Sequence, residues 1–100
     1  MEQVVARLSR LPGDAGTVVD VRGASIALFR AGEGVVAYRN VCPHRGGPVG
    51  EGVVAGGIVT CPWHGNRFEV VTGRCVSDPG LASLLSVRSR VEGDDVLVEP

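Results

Sequence analysis

Lysine is absent: all ten basic residues are arginine, set against 11 acidic ones for a formal net charge of −1. With that balance the chain has no basic field to draw in nucleic acid or an anionic membrane, and neither partner is expected. The all-arginine set is read first as the mark of a high-GC genome, and second as a preference for planar guanidinium pairs at a docking surface. Long apolar runs are also missing. No stretch approaches the ~18 residues needed to cross a bilayer. The start, Met1-Glu2-Gln3-Val4-Val5-Ala6-Arg7, has neither the basic region nor the apolar segment of a secretory signal. A cytoplasmic location is therefore expected. Cysteines number only three, Cys42, Cys61 and Cys75, and a reducing compartment disfavours disulfides. Metal ligation plus one spare thiol accounts for them better. No internal repeat, low-complexity tract or linker stands out.

The 100 residues suit a single domain, 1–100, with an ordinary 44% apolar and 21% charged residues. Fifteen glycines punctuate Val- and Ala-rich segments, the pattern of short strands and turns rather than long helices. Strands are expected at Val4 to Leu8, Thr17 to Arg22, Ser25 to Arg30 and Val35 to Arg39. Further ones are expected at Val53–Val54, Ile58 to Thr60, Arg67 to Val71, Ser86 to Val91 and Val96 to Glu99. Residues 41–50 and 61–66 read as loops, Asp78-Pro79-Gly80 as a turn, and Leu81 to Leu85 as a brief helical turn. Together these predict an all-β fold: a small antiparallel sandwich or barrel with a two-loop binding subdomain inserted near the middle.

Those two loops carry the chemistry. Cys42-Pro43-His44 is followed, after residues 45 to 60, by Cys61-Pro62-Trp63-His64, and both histidines of the chain fall inside this pattern. Each loop offers one thiolate and one imidazole. Proline after each cysteine biases that cysteine toward extended backbone and stiffens the turn. Gly46, Gly47 and Gly65 have no Cβ, so main-chain N–H groups can come close to buried anionic sulfur, which is costly without donors. The residues alone leave rivals. Zinc accepts two Cys and two His, although common zinc modules pair Cys with Cys and His with His. A Cys–His nucleophile is a third option, but two symmetrical Cys–His loops have no evident use in it. Cys75 has no partner spacing and reads as a small buried apolar residue. Trp63 reads as packing or loop rim, and Tyr38 and Phe29 as strand core. Arg45 and Arg67 flank the loops, either as solvated charges or as partners for carboxylates of another protein.

The two-loop motif, with His44-Arg45-Gly46-Gly47-Pro48 and Cys61-Pro62-Trp63-His64-Gly65, resembles the Rieske [2Fe–2S] family. It is most similar to the small Rieske-type ferredoxins of ring-hydroxylating oxygenase systems, with the specific match covering about residues 38 to 80. That resemblance implies one [2Fe–2S] cluster, with Cys42 and Cys61 on one iron and His44 and His64 on the other through Nδ1. It also implies a covering turn at Asp78-Pro79-Gly80. Two ferric ions, two sulfides, two thiolates and two neutral imidazoles sum formally to about zero, which favours reduction relative to an all-cysteine site. The respiratory branch of the family adds a disulfide joining the loops, and the matching positions here are Gly47 and Trp63. It also adds hydroxyl donors, where this chain has Asn66 and Phe68. Fewer donors predict a potential toward the lower end of the Rieske range of about −150 to +300 mV.

By the same resemblance the chain would be a soluble one-electron carrier, a monomer with no substrate chemistry of its own. Its partners would be a flavin-dependent ferredoxin reductase and a terminal oxygenase. Two alternatives stand beside this reading: the Rieske-like small subunit of a nitrite reductase-type enzyme, and a zinc-stabilised interaction module.

Overall fold

The computed structural model describes all 100 residues. Nine strands form: β1 (Gln3–Arg7), β2 (Thr17–Val21), β3 (Ala24–Ala31), β4 (Gly34–Arg39), β5 (Val53–Ala55), β6 (Ile58–Thr60), β7 (Arg67–Glu69), β8 (Ser86–Glu92) and β9 (Asp95–Glu99). All pairings are antiparallel. Six strands make one sheet in the order β1-β9-β8-β4-β3-β2, and its two edges, β1 and β2, come back toward each other as in a barrel. The other three, β5-β6-β7, form a small separate sheet. No helix is long and apolar enough to cross a membrane.

Local chemistry explains the connections. Between β2 and β3 the chain reverses through Arg22 (φ 54°) and Gly23 (φ 84°), the doubly left-handed turn that matches strand twist. Asp20 steadies it by accepting the Gly23 N–H at 3.0 Å. In β3 the usual alternation of buried and exposed residues gives way to four successive buried ones, Ile26, Ala27, Leu28 and Phe29. Ile26 and Leu28 face a core inside the six-stranded sheet, with Val21, Val96 and Val98. Ala27 and Phe29 face a second core that contains Val59 and Phe68 of the small sheet, and Cys42 and Cys61. Strand β4 is divided likewise, Ala37 to the first core and Tyr38 to the second. The β3–β4 pair is thus a wall shared by two cores.

Tyr38 anchors the second core. Its ring lies 6.1 Å from that of Phe29, and its buried hydroxyl donates to the Val70 carbonyl at 2.6 Å. Replacing Tyr38 by phenylalanine leaves that carbonyl unpaired, and we expect a loss of about 1–3 kcal/mol, read from the denaturant midpoint. Burial also pushes the Tyr38 hydroxyl above its ordinary pKa. The folded state therefore holds this proton more tightly than the unfolded chain does. Its contribution is complete below about pH 10 and declines as pH rises past that value.

Three expectations need correction. Leu81 to Leu85 forms no helical turn. Leu81 N–H closes a tight turn onto the Asp78 carbonyl (3.0 Å), and the chain then runs without regular structure while Leu84 N–H reaches the Gly73 carbonyl (2.8 Å). Burial of Leu84 in the second core outweighs the local helical tendency. The strand expected through Val71 stops at Glu69, because Gly73 N–H turns back onto the Glu69 carbonyl at 2.8 Å. Leu8, placed at the end of the first strand, instead opens a 3-10 turn, Leu8–Arg10.

Candidate metal centre

Both loops are built on one hydrogen-bond plan. In the first, Cys42 N–H reaches the Gly47 carbonyl (2.8 Å) and Gly46 N–H returns to the Cys42 carbonyl (2.8 Å). In the second, Cys61 N–H reaches the Asn66 carbonyl (2.8 Å) and Gly65 N–H returns to the Cys61 carbonyl (3.1 Å). The glycine that permits the return is left-handed in each, Gly46 at φ 76° and Gly65 at φ 75°. The shared signature is Cys-Pro-x-x-Gly, at 42–46 and again at 61–65. This repeat of two five-residue units corrects the expectation of no internal repeat, and it is visible in the sequence itself.

Loop folding sorts the four donor side chains by polarity. Cys42 and Cys61 are buried in the second core, at 2% and 1% exposure. Their thiols are neighbours: burial pushes the Cys42 thiol up, and the adjacent Cys61 thiol pushes it further, while the main-chain N–H groups of His44 and Arg45 draw it down. The amides of Gly46 and Gly65, whose lack of a Cβ was expected to bring donors to sulfur, are instead spent on the Cys42 and Cys61 carbonyls. His44 and His64 are exposed, with ring centroids 4.9 Å apart and planes at 77°. The structure thus brings all four sequence-predicted donors into two pairs, sulfur with sulfur inside and imidazole with imidazole outside. No three His, Cys, Asp or Glu side chains gather round a single point. The donor set suits a group with two metals, one of them sulfur-liking and screened, the other nitrogen-bound at the surface.

The surroundings are equally specific. A Cβ added at Gly47 would stand 2.9 Å from Cys61 Sγ and 3.1 Å from Trp63 Cβ, so the two positions matched to the respiratory disulfide do face each other across the loops. Trp63 is 59% exposed and Val41 50%, which makes Trp63 rim rather than core. Phe68 is fully buried and has no group to donate. Asn66 Oδ1 accepts the Ser77 hydroxyl at 3.2 Å, while Ser77 Oγ accepts the Arg67 N–H at 3.0 Å. Through Ser77, the chain entering the Asp78-Pro79-Gly80 turn is tied to the second loop. Cys75 stays apart from the four donors as a buried thiol, 3.5 Å from Ser77 Oγ. The largest recess, about 520 Å³, lies beside Cys75 and Pro79 and is lined by neither histidine. Neither Arg45 nor Arg67 takes part in an ion pair.

Comparison with known proteins agrees with this geometry. Residues 1–89 match the model of the Rieske [2Fe-2S] domain. Human apoptosis-inducing factor 3 is 32% identical over 98 residues, covering 98% of this chain, which spans only 16% of that protein's length. Among solved structures, the ferredoxin of carbazole 1,9a-dioxygenase from Nocardioides aromaticivorans IC177 superposes with a TM-score of 0.88 at 30% identity, covering 100% of this chain and 98% of that one. A complex of reduced oxygenase and oxidized ferredoxin in carbazole 1,9a-dioxygenase matches with a TM-score of 0.86 at 28% identity, covering 97% of this chain and 91% of the other. The cofactor is accordingly one [2Fe–2S] cluster. With its paired donors, its twin Cys-Pro-x-x-Gly loops and a family match over nearly its whole length, the chain belongs to the Rieske [2Fe–2S] domain family.

Proposed function

We propose that Cys42 and Cys61 hold one iron of the cluster and His44 and His64 the other. In this reading residues 1–100 act as one domain that passes single electrons, in the cytoplasm, from a flavin-dependent reductase to a terminal oxygenase. The division of donors carries the proposal: two sulfurs buried side by side, two imidazoles exposed side by side. When bound, the cluster supplies one-electron redox chemistry with no open coordination position. That leaves the chain no means of binding substrate at iron and makes it a component of an oxidoreductase system rather than a catalyst. Pairing also favours a two-metal centre over one zinc ion, which would need its donors around a single point.

The residues around the donors suit transient docking. Burial keeps water away from the sulfur side, where the amides of His44 and Arg45 favour the thiolate of Cys42. The imidazole edges stand on the surface, beside exposed Val41 and Trp63. A partner settling on this small apolar rim, with Arg45 and Arg67 free to meet its carboxylates, would make a short-lived contact of the electron-transfer kind. That the related ferredoxin is known in complex with its oxygenase supports the same partner class here.

The test begins with composition. Protein prepared anaerobically with iron and sulfide should be brown, contain two irons and two sulfides per chain, and give an EPR signal when reduced. A colourless, iron-free product overturns the reading. The midpoint potential should fall toward the lower end of the Rieske range of about −150 to +300 mV, since the buried Phe68 offers no donor where the respiratory branch has a hydroxyl. A midpoint well above zero contradicts that step. Stopped-flow mixing with a reductase and an oxygenase should then show the chain reduced by one and reoxidised by the other.

A further inference from the structure

The two loops share an internal plan but differ in how their ends are held. The second is the tip of a hairpin: its flanks, Thr60 of β6 and Arg67 of β7, pair directly in the ladder. The first has no such closure. It leaves β4, a strand of the six-stranded sheet, and enters β5, a strand of the small one. Outside the Cys42–Gly47 main-chain bond within the loop, one hydrogen bond joins its two ends, from Gly50 N–H to Asn40 Oδ1 at 2.7 Å. The rest of Asn40 is tied to β3: its Nδ2 donates to Ser25 Oγ at 3.1 Å and its N–H to the Ser25 carbonyl at 3.0 Å. Gly50 sits so close that an added Cβ would lie 2.8 Å from Val18 Cγ2, 2.9 Å from Ala27 Cβ and 3.0 Å from Asn40 Oδ1. Only a glycine admits this approach of loop to sheet.

We infer that Asn40 is the positioning residue of the first loop, its side-chain amide standing in for the missing strand ladder and fixing Cys42 and His44 against the second loop. The inference rests on reading Cys42 and His44 as ligands. Its geometric half, closure of residues 41–50 by one side chain, can be measured without the cluster. Asparagine suits the task because one planar group accepts from Gly50 and donates to Ser25 at once. Aspartate keeps the acceptor, and the Ser25 hydroxyl can reverse to donate to it. Alanine keeps neither.

Hydrogen exchange by mass spectrometry at pH 7, on loaded and on metal-free protein, tests this with Asn40→Ala, Asn40→Asp and Ser25→Ala. Asn40→Ala should raise exchange in peptides covering 40–52 roughly tenfold, the order expected from loss of one hydrogen bond. Peptides of β2 and β3 should stay at the native rate. The same variant should lose its visible absorbance to a chelator roughly tenfold faster and show an altered EPR line shape, because the His44 ring is no longer held. Asn40→Asp and Ser25→Ala should lie close to the native protein in both readouts. Unchanged exchange at 40–52 in Asn40→Ala overturns the inference, as does an aspartate variant as loose as the alanine one. So does exchange that rises equally throughout the sheet, which would make Asn40 a general fold element. If the exchange result holds while no variant, nor the native chain, binds iron, the ligand reading fails and the clasp stands.

Discussion

Gly47→Ala is expected to leave the six-stranded sheet folded and to strip the chain of most of its iron. The new methyl group would enter the seam between the loops, 2.9 Å from Cys61 Sγ and 3.1 Å from both Cβ and Cγ of Trp63. These are not the free ends of long side chains. Cys61 Sγ is buried in the second core, and Trp63 Cβ is fixed to a loop closed by two main-chain hydrogen bonds. Relief therefore requires the loops to part, which moves Cys61 away from Cys42 and His64 away from His44. Overpacking of this kind costs about 1–3 kcal/mol. Because the strain is relieved by releasing the cluster, most of it falls on cluster retention, weakening it roughly 5- to 150-fold. Iron and sulfide per chain after a chelator wash measure the effect, and far-UV circular dichroism checks the sheet. Normal iron content in this variant would show that the loops have more room between them than their geometry implies.

Removing the cluster from the unmodified chain should loosen one half of the molecule and spare the other. Its two cores divide the labour. One contains Cys42 and Cys61 along with Val59 and Phe68 of the small sheet, and the other consists of apolar residues of β2, β3, β4, β8 and β9 with Leu8 and Leu11. Without metal the thiols remain as small, weakly polar side chains, tolerable in a core but no longer pinned. Loop closure then rests on hydrogen bonds alone, and a metal centre that couples to folding is lost. We expect amide protection to fall steeply over residues 41–76 and to persist in β1, β2, β8 and β9. A loss of about 3 kcal/mol would lower the thermal midpoint of a domain this size by roughly 12–24 °C. Uniform loss of protection over both cores would show that they unfold as one unit.

Much of this was legible in advance because it is local. The valine alternation and the glycine turns placed nearly every strand to within a few residues. The four candidate donors were picked out by residue type and spacing, and the structure places them as two pairs. What escaped depends on partners distant in the chain. Nothing near Leu84 says that the Gly73 carbonyl and the second core will hold it out of a helical turn. Nothing in β1 says that Gln3 to Arg7 will lie beside β9, with Arg7 opposite Asp95. Asn40 is an ordinary polar residue until the loop is seen to have ends in different sheets. The paired Cys-Pro-x-x-Gly units are the one miss with a signal in plain view.

The shared wall of β3 and β4 limits what could be cut from this protein. A peptide of residues 41–76 would carry all four donors, both turns and the whole small sheet. It would lack Ala27, Phe29 and Tyr38, which supply the floor of the second core, and Tyr38 is also the partner of the Val70 carbonyl. Excised, such a fragment would turn Val59, Phe68 and both sulfurs out to water. Transplanting the centre into a different scaffold would therefore mean carrying a two-stranded slab along with it, or building an equivalent surface beneath the graft.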